Sequence, residues 1–205
     1  MSSTTETIVA TKKIRTGVFS GSFNPIHIGH LVLANYLHEF EGLDEIWFVV
    51  TPQNPLKEKE QLIDDNLRLK MVELAINDCP AFKVSDIEFD LPKPSYTINT
   101  LKKLEEKYPE REFILLIGAD NWLIFHKWQS HEEIKKNYNI IVYPRRGHVV
   151  YIDPEYPNIR SVNAPLVEIS STFIRDALNN GKNMRYFMTS KVYDLVKTLG
   201  LYKKI

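Results

Sequence analysis

Short, unbroken apolar runs separated by helical patterns constrain the fold of this chain more than any other feature. The runs lie at residues 46–50, 113–117 and 140–143, and a shorter one at Val18 and Phe19. Strands that are apolar at every position are typical of a parallel sheet with helices on both faces. Between the runs, apolar residues recur at helical spacing over 31–40, at Leu67, Met71 and Leu74, and at Ile98, Leu101 and Leu104.

This alternation predicts an α/β fold, a doubly wound parallel sheet. We expect a flexible tail over residues 1–12 and a single domain over 13–205, since 205 residues fit one domain with appendages. Residues 169–205 are predicted to form a small C-terminal helical part. Its last helix has Thr189 as N-cap and Gly200 as its stop.

Charge and cysteine content exclude several classes of protein. Lys plus Arg and Asp plus Glu are equal, at 26 each, so the excess positive charge of a nucleic-acid binder is missing. The single cysteine, Cys79, excludes an internal disulfide and a cysteine-clustered zinc site, and it fits a reducing compartment. We find no signal peptide and no apolar stretch of membrane-spanning length. We therefore expect a cytoplasmic protein with no membrane or nucleic-acid partner; a homo-oligomer stays open.

The loop after the first run predicts a phosphate site. Ligands of parallel sheets bind beyond the carboxyl ends of the strands. The loop reads SGSFNPIHIGH, and the three-residue spacing places His27 and His30 on one face at the start of a helix. Free amides and the helix dipole favour an anion there. The alternative is one loop-capping and one surface histidine; the spacing does not fit zinc.

A second anion site is predicted near the C-terminus, where residues 169–175 read ISSTFIR. Ser170, Ser171, Thr172 and the first amides of a helix could hold a polyphosphate, with Arg175 covering its charge. The alternative is an ordinary serine-capped helix with a solvated arginine. The sequence has neither GxGxxG after the first strand nor GxxxxGK[ST], which argues against a dehydrogenase or a P-loop enzyme.

The middle of the chain offers groups for a second substrate. Residues 94–101, PSYTINTL, begin a helix whose amides could hold a carboxylate, although this is also how an ordinary helix begins. Trp122 and Trp128 could stack on a planar heterocycle or be core residues.

Two of these motifs resemble signatures of one superfamily. GSFNPIHIGH resembles the G-[ST]-F-[DN]-P-x-H-x-G-H signature of the HxGH nucleotidyltransferases, with Ser20 where many members have glycine, and ISSTFIR resembles their second motif. PxNPxK, PSYT, GADxW and the arginine pair before Gly147 resemble the bacterial nicotinate-nucleotide adenylyltransferases. The resemblance implies a Rossmann-like nucleotidyltransferase fold.

The resemblance also implies roles for individual residues. The expected catalytic residues are His27, His30, Lys57 and Arg175, which stabilise charge and do not attack. Residues expected to bind ATP or its phosphates are Gly21, Ser22, Phe23, Gly29, Gly118, Asp120, Arg146, Ser170, Ser171 and Thr172. Those expected to bind the pyridine nucleotide are Tyr96, Thr97, Trp128 and Gln129. Arg145 competes with Arg146, and no protein metal ligand is predicted.

The implied reaction transfers AMP from ATP to nicotinate mononucleotide in NAD biosynthesis. The phosphate of nicotinate mononucleotide attacks the α-phosphorus in line, giving nicotinate adenine dinucleotide and pyrophosphate without a covalent enzyme intermediate. Mg²⁺ is the expected cofactor, bound with ATP. The alternatives are nicotinamide mononucleotide or phosphopantetheine as acceptor, and a nucleotide-binding module that does not catalyse transfer.

Overall fold

The computed structural model describes residues 12–53 and 62–203. Its sheet has six strands, all parallel, in the order β3-β2-β1-β4-β5-β6. The strands are β1 (Ile14–Gly21), β2 (Glu45–Val50), β3 (Phe82–Ser85), β4 (Arg111–Gly118), β5 (Asn139–Tyr143) and β6 (Ile159–Ser161). This is the predicted doubly wound, Rossmann-like arrangement, so the prediction of the fold class is confirmed.

Seven α-helices of the described chain connect and cover these strands. They are α1 (Ile28–Phe40), α2 (Asp65–Ile76), α3 (Thr97–Lys107), α4 (Ala119–Leu123), α5 (His131–Asn137), α6 (Ser171–Asn179) and α7 (Ser190–Thr198). None of the described helices is long and apolar enough to cross a membrane. Two short 3₁₀ segments, Phe125–Lys127 and Arg185–Phe187, complete the helical structure of the described residues.

The helices form two layers, one on each face of the sheet. Buried side chains of α1, α2, α6 and α7 form one core with residues such as Phe48 and Ile114. Buried side chains of α3 and α5 form the other core with residues such as Val49 and Leu115. Because adjacent strand residues face opposite layers, strands such as β2 are buried at every position, as their unbroken apolar sequence predicts.

The predicted C-terminal helical part contributes directly to the main core. Ile174 and Leu178 of α6 and Val192 and Val196 of α7 belong to the same buried cluster as α1 and α2. Thr189 caps α7 by accepting a hydrogen bond from the amide of Val192, as predicted. The predicted tail lies outside the described residues except for residue 12, so it stays a prediction.

The strand order reverses between β1 and β4, and this reversal positions the site. The connections from these two central strands run to opposite sides of the sheet, which leaves a crevice beyond their carboxyl ends. β1 ends at Gly21 and β4 ends at Gly118, and both glycines line the crevice.

Candidate active site

A cavity of about 810 Å³ opens at the carboxyl ends of β1 and β4. Its lining includes every residue predicted from the sequence to bind substrate or to catalyse, with one exception. The predicted residues in the lining are Gly21, Ser22, Phe23, His27, Gly29, His30, Tyr96, Thr97, Gly118, Asp120, Trp128, Gln129, Arg146, Ser170, Ser171, Thr172 and Arg175. The exception is Lys57, which lies outside the described residues.

His27 and His30 lie side by side at the start of α1. His27 is the N-cap of the helix, and the two rings stack with their centroids 3.7 Å apart and their planes 23° apart. Nδ1 of His30 accepts a hydrogen bond from the backbone amide of His27 at 3.2 Å. A neutral His30 therefore carries its proton on Nε2, which makes that atom a hydrogen-bond donor.

His27 is more deeply buried than His30, with 4% of its surface exposed. Burial, and secondarily the positive charge of Arg145, lower the pKa of His27 from 6.5 to about 4. Its Nδ1 atom is buried and has no hydrogen-bond partner among the described residues. In the absence of an anion, His27 is thus neutral at pH 7.

Gly29 has no side chain, which leaves room for the ring of His27. A Cβ atom at Gly29 would lie 3.1 Å from two ring atoms of His27 and 3.3 Å from the side chain of Val167. The sequence places Gly29 among the residues expected to bind ATP or its phosphates. In the structure, any larger residue at this position would press on the histidine ring.

The start of α6 packs against the loop that follows β1. This packing brings the two predicted phosphate motifs together. Ser171 donates from Oγ to the carbonyl of Pro25 at 2.9 Å. Arg175 donates to the carbonyl of Asn24 at 2.9 Å and to Oγ1 of Thr172 at 3.3 Å. Ser170 caps the helix by accepting from the amide of Phe173. The hydroxyls of both serines thus already make bonds within the protein.

The first loop is also held from the C-terminal segment and from α2. Asn24, which is fully buried, accepts a hydrogen bond at Oδ1 from the hydroxyl of Tyr202 at 2.8 Å. Arg68 has no exposed surface and donates to the carbonyls of Ser22 at 2.6 Å and Thr51 at 2.8 Å. These bonds fix the loops after β1 and β2 relative to each other before any ligand binds.

Sequence reasoning did not identify Arg68. The helical pattern indicated Leu67, Met71 and Leu74; of these Met71 is fully buried, and Arg68 and Val72 are fully buried as well. The arginine lies three residues before Met71, on the buried side of the helix, and three residues after Asp65, with which it forms an ion pair. A buried guanidinium requires several acceptors, and here Asp65 and the loop carbonyls supply them.

The paired arginines differ in their surroundings. Arg145 lies over the ring of Tyr143, with its guanidinium 5.2 Å from the ring centroid, and its Nε is 3.6 Å from Asp120. The side chain of Arg146 is 78% exposed and forms an ion pair with Glu168 at 2.7 Å. Both residues line the cavity. The choice between them as the phosphate contact stays a prediction.

The far side of the cavity contains the predicted pyridine site. α3 begins at Thr97, and its N-cap, Tyr96, makes no side-chain capping bond. Trp128 is half-buried and packs against Phe125, and its Nε1 is buried without a partner among the described residues. Trp122 does not line the cavity; it stacks on Phe125 and donates to the carbonyl of Tyr151 at 3.3 Å, which is a structural role.

Glu88 is the second residue that sequence reasoning missed, and unlike Arg68 it lines the cavity. It follows β3, only 3% of its surface is exposed, and its carboxyl accepts a hydrogen bond from Thr100 at 2.8 Å. Burial raises the pKa of Glu88 to about 7, against the opposing effect of hydroxyls of Thr100, Thr51 and Ser95. The motif DIEFD resembles an exposed acidic loop in sequence, so only the fold indicates that Glu88 is buried.

The described residues contain no group of three or more His, Cys, Asp or Glu side chains that could hold a metal ion. Asp120, which lines the cavity, is paired with Arg145. The oxygens of a bound polyphosphate are themselves suitable ligands for Mg²⁺.

Comparison with known proteins agrees with this geometry. Residues 18–177 match the family model described as cytidylyltransferase-like, so the fold and the site define a nucleotidyltransferase of that class. A probable nicotinate-nucleotide adenylyltransferase of Bacteroides fragilis is 58% identical over 181 residues, which cover 88% of this chain and 90% of the relative. The chain belongs to the nicotinate-nucleotide adenylyltransferase family.

Other relatives extend the comparison. A protein of the same designation from Bacteroides thetaiotaomicron is 54% identical over 185 residues, covering 90% of this chain and 92% of the relative. Among solved structures, the nicotinic acid mononucleotide adenylyltransferase of Plasmodium falciparum in complex with NaAD is similar, with a TM-score of 0.75. The similarity covers 92% of this chain and 97% of that one at 22% identity, and it supports the fold.

Proposed function

We propose that this chain transfers the adenylyl group of ATP to the phosphate of nicotinate mononucleotide. The products are nicotinate adenine dinucleotide, an intermediate of NAD biosynthesis, and pyrophosphate. Family membership supports this proposal, because the relatives that are 58% and 54% identical carry the name of this activity. The main structural support is that the starts of α1, α6 and α3 and the side chain of Trp128 all line the same cavity.

The chemistry needs positioning and charge stabilisation more than acid–base groups. An oxygen of the acceptor phosphate attacks the α-phosphorus of ATP, a new P–O bond forms, and the bond to the β-phosphate oxygen breaks to release pyrophosphate. The nucleophile is already an anion, so no enzyme nucleophile is required. Nε2–H of His30, the ring of His27 and the guanidinium of Arg175 would stabilise negative charge on the transferring phosphoryl group.

The remaining roles follow from the halves of the cavity. The amides of Gly21, Ser22 and the start of α6 would hold the triphosphate of ATP, and Asp120 would accept from a ribose hydroxyl. On the other side, amides near Thr97 and the residue Gln129 would hold the pyridine carboxylate while Trp128 stacks on the ring. Lys57 keeps its predicted role next to the transferring phosphate.

Mg²⁺ enters this proposal as part of the nucleotide substrate. The ion would neutralise the phosphates of ATP and stabilise the leaving pyrophosphate. Phosphate oxygens supply its ligands, and we assign no side chain to it. A cytoplasmic location, where ATP is available, accords with the free thiol of Cys79.

The test is to incubate the protein with ATP and Mg²⁺ and to offer each acceptor in turn while pyrophosphate is measured. We expect release with nicotinate mononucleotide, with mass-spectrometric detection of nicotinate adenine dinucleotide. Release only with nicotinamide mononucleotide or only with phosphopantetheine would overturn the acceptor. ATP binding without release with any acceptor would instead indicate a nucleotide-binding module.

A further inference from the structure

Glu88 is a buried acidic residue on the side of the cavity where an anionic pyridine carboxylate is proposed to bind. We propose that Glu88 acts as a neutral carboxylic acid that donates a hydrogen bond into the acceptor subsite and so favours a pyridine carboxylate over its amide. The inference rests on the proposed function and adds a specificity-determining residue to it.

The position of Glu88 supports this role. Its neighbours in the cavity lining include Ser95, Tyr96 and Thr97, the segment that leads into α3. Glu88 is 3% exposed and Ser95 5% exposed, so neither side chain reaches bulk solvent. Both residues line the cavity together with Tyr96 and Thr97.

Hydrogen bonding determines which oxygen of Glu88 carries the proton. Oε1 accepts from the hydroxyl of Thr100 at 2.8 Å. Oε2 is buried and makes no hydrogen bond of ordinary geometry to the described residues, although the hydroxyls of Thr51 and Ser95 lie close enough to affect the pKa of the carboxyl. A proton on Oε2 would be a hydrogen-bond donor on a side chain that lines the cavity, and the carboxyl must turn towards the cavity to reach a ligand.

Burial keeps a large fraction of this carboxyl in the neutral form near pH 7. Burial raises the pKa of Glu88 to about 7, and the groups that oppose this effect are the hydroxyls of Thr100, Thr51 and Ser95. No cation among the described residues, such as Lys127 or Arg145 in the same cavity, contributes to that pKa. The acidic neighbours on its own segment, Asp86 and Asp90, are exposed to solvent.

The two protonation states would favour different acceptors. The neutral acid donates from Oε2 to a pyridine carboxylate, which gives a charge-assisted hydrogen bond. The ionised form repels that carboxylate but can accept from the NH₂ group of a pyridine amide. Raising the pH through the pKa of Glu88 should therefore weaken binding of the acid acceptor and improve binding of the amide.

The experiment measures KM for nicotinate mononucleotide and for nicotinamide mononucleotide at saturating MgATP from pH 6 to pH 8.5. In the unmodified protein, we expect KM for the acid to rise at least about tenfold over this range, since each pH unit above a pKa lowers the neutral fraction about tenfold. Glu88→Gln keeps a neutral donor at all pH values, so its KM for the acid should stay within about threefold.

Two further variants make the test specific. Thr100→Val removes a hydrogen bond to the ionised form, so it should raise the pKa of Glu88 and move the increase in KM to higher pH. Glu106→Gln makes the same chemical change at an exposed position of α3, where Glu106 pairs with Lys103. It should retain the pH profile of the unmodified protein.

The inference is overturned if Glu88→Gln shows the same pH dependence as the unmodified protein, or if it binds the acid acceptor more than about fivefold more weakly at pH 6. If the unmodified protein releases pyrophosphate with nicotinate mononucleotide but either of these results is obtained, only the role of Glu88 is contradicted. If the unmodified protein releases no pyrophosphate at any pH, the proposed function is contradicted as well. The two failures are therefore distinguishable.

Discussion

The two halves of the cavity differ in the polar groups that they offer to a ligand. On the phosphate side, the starts of α1 and α6 present amides, imidazoles and the guanidinium of Arg175 to a ligand. On the acceptor side, Glu88 is surrounded by hydroxyls and Trp128 supplies an aromatic face. The first half is thus suited to attract an anion of high charge, and the second to select a flat ring by shape and hydrogen bonding.

Each half also contains a buried titratable residue whose pKa is shifted in favour of its neutral form. His27 has its pKa lowered to about 4, whereas that of Glu88 is raised to about 7. Burial is the main cause in both cases, because it disfavours the charged form whatever its sign. Burial therefore favours a protonated acid in one half and an unprotonated base in the other.

The largest expected effect comes from the phosphate side. His30→Ala removes the donor on Nε2 and should lower kcat by about 100- to 1,000-fold, the usual effect of losing one preorganised donor. Steady-state kinetics with both substrates saturating would measure this. His126→Ala is the matched control, because His126 is exposed and does not line the cavity. A kcat within about threefold of normal for His30→Ala would contradict the proposed stabilisation.

The next prediction concerns how His27 and Glu88 contribute to the free energy of unfolding as the pH changes. Neutral His27 is favourable above pH 6.5 and its contribution is lost as the pH falls towards 4, because the unfolded chain then binds more protons. Neutral Glu88 is favourable below pH 4.5 and its contribution is lost as the pH rises through about 7. Each contribution is about 3 kcal/mol at most.

Urea unfolding of His27→Gln and Glu88→Gln at several pH values would measure these contributions. Relative to the unmodified protein, His27→Gln should gain stability as the pH is lowered from 6.5 to 4. Glu88→Gln should gain as the pH is raised from 4.5 to 7. If the stability difference from the unmodified protein changed with pH in the same direction in both variants, the halves would not differ in this way.

A smaller effect is expected from the aromatic face of the acceptor side. Trp128→Ala should raise KM for the pyridine nucleotide by about 10- to 100-fold, in line with about 1–3 kcal/mol for stacking on an aromatic side chain. KM for ATP should change by less than about threefold. Trp128→Phe should recover part of the loss, since it retains a ring. Equal increases in both KM values would contradict a role restricted to the acceptor.

The smallest effect separates the two arginines. Arg145→Ala should raise KM for ATP by about tenfold, because its guanidinium lies against the cavity wall and is close to Asp120. Arg146→Ala should change it by about threefold or less, because solvent screens a side chain that is 78% exposed. Measuring KM for ATP in both variants would show which arginine contributes more to nucleotide binding. The reverse order would favour Arg146, the residue chosen from the sequence.

Local patterns in the sequence predicted the centre of the fold better than its edges. The four apolar runs correspond to β1, β2, β4 and β5, whereas the edge strands β3 and β6 have only four and three residues. Lys83 of β3 is exposed, so no unbroken apolar run indicates that strand. Short edge strands are recognisable mainly from their pairing, which the linear sequence does not give.

The same limit applies to the site. Residues of contiguous motifs, such as His27 and His30, could be found because their spacing alone brings their rings together. Glu88 and Arg68 could not, because partners that accompany their burial are distant: Thr100 lies 12 residues from Glu88, and Ser22 lies 46 residues from Arg68, which also pairs with the nearby Asp65. Burial of a charged side chain depends on such tertiary partners, which no local pattern contains.

The hydrogen bond from Tyr202 to Asn24 has a consequence for biosynthesis. It joins residues 178 positions apart, one of them in the loop that begins the phosphate site. A nascent chain synthesised only as far as α7 would hold both histidines and both serines yet lack this anchor for its first loop. Catalytic competence should therefore develop only once Tyr202 has left the ribosome and packed against a loop that was synthesised 178 residues earlier.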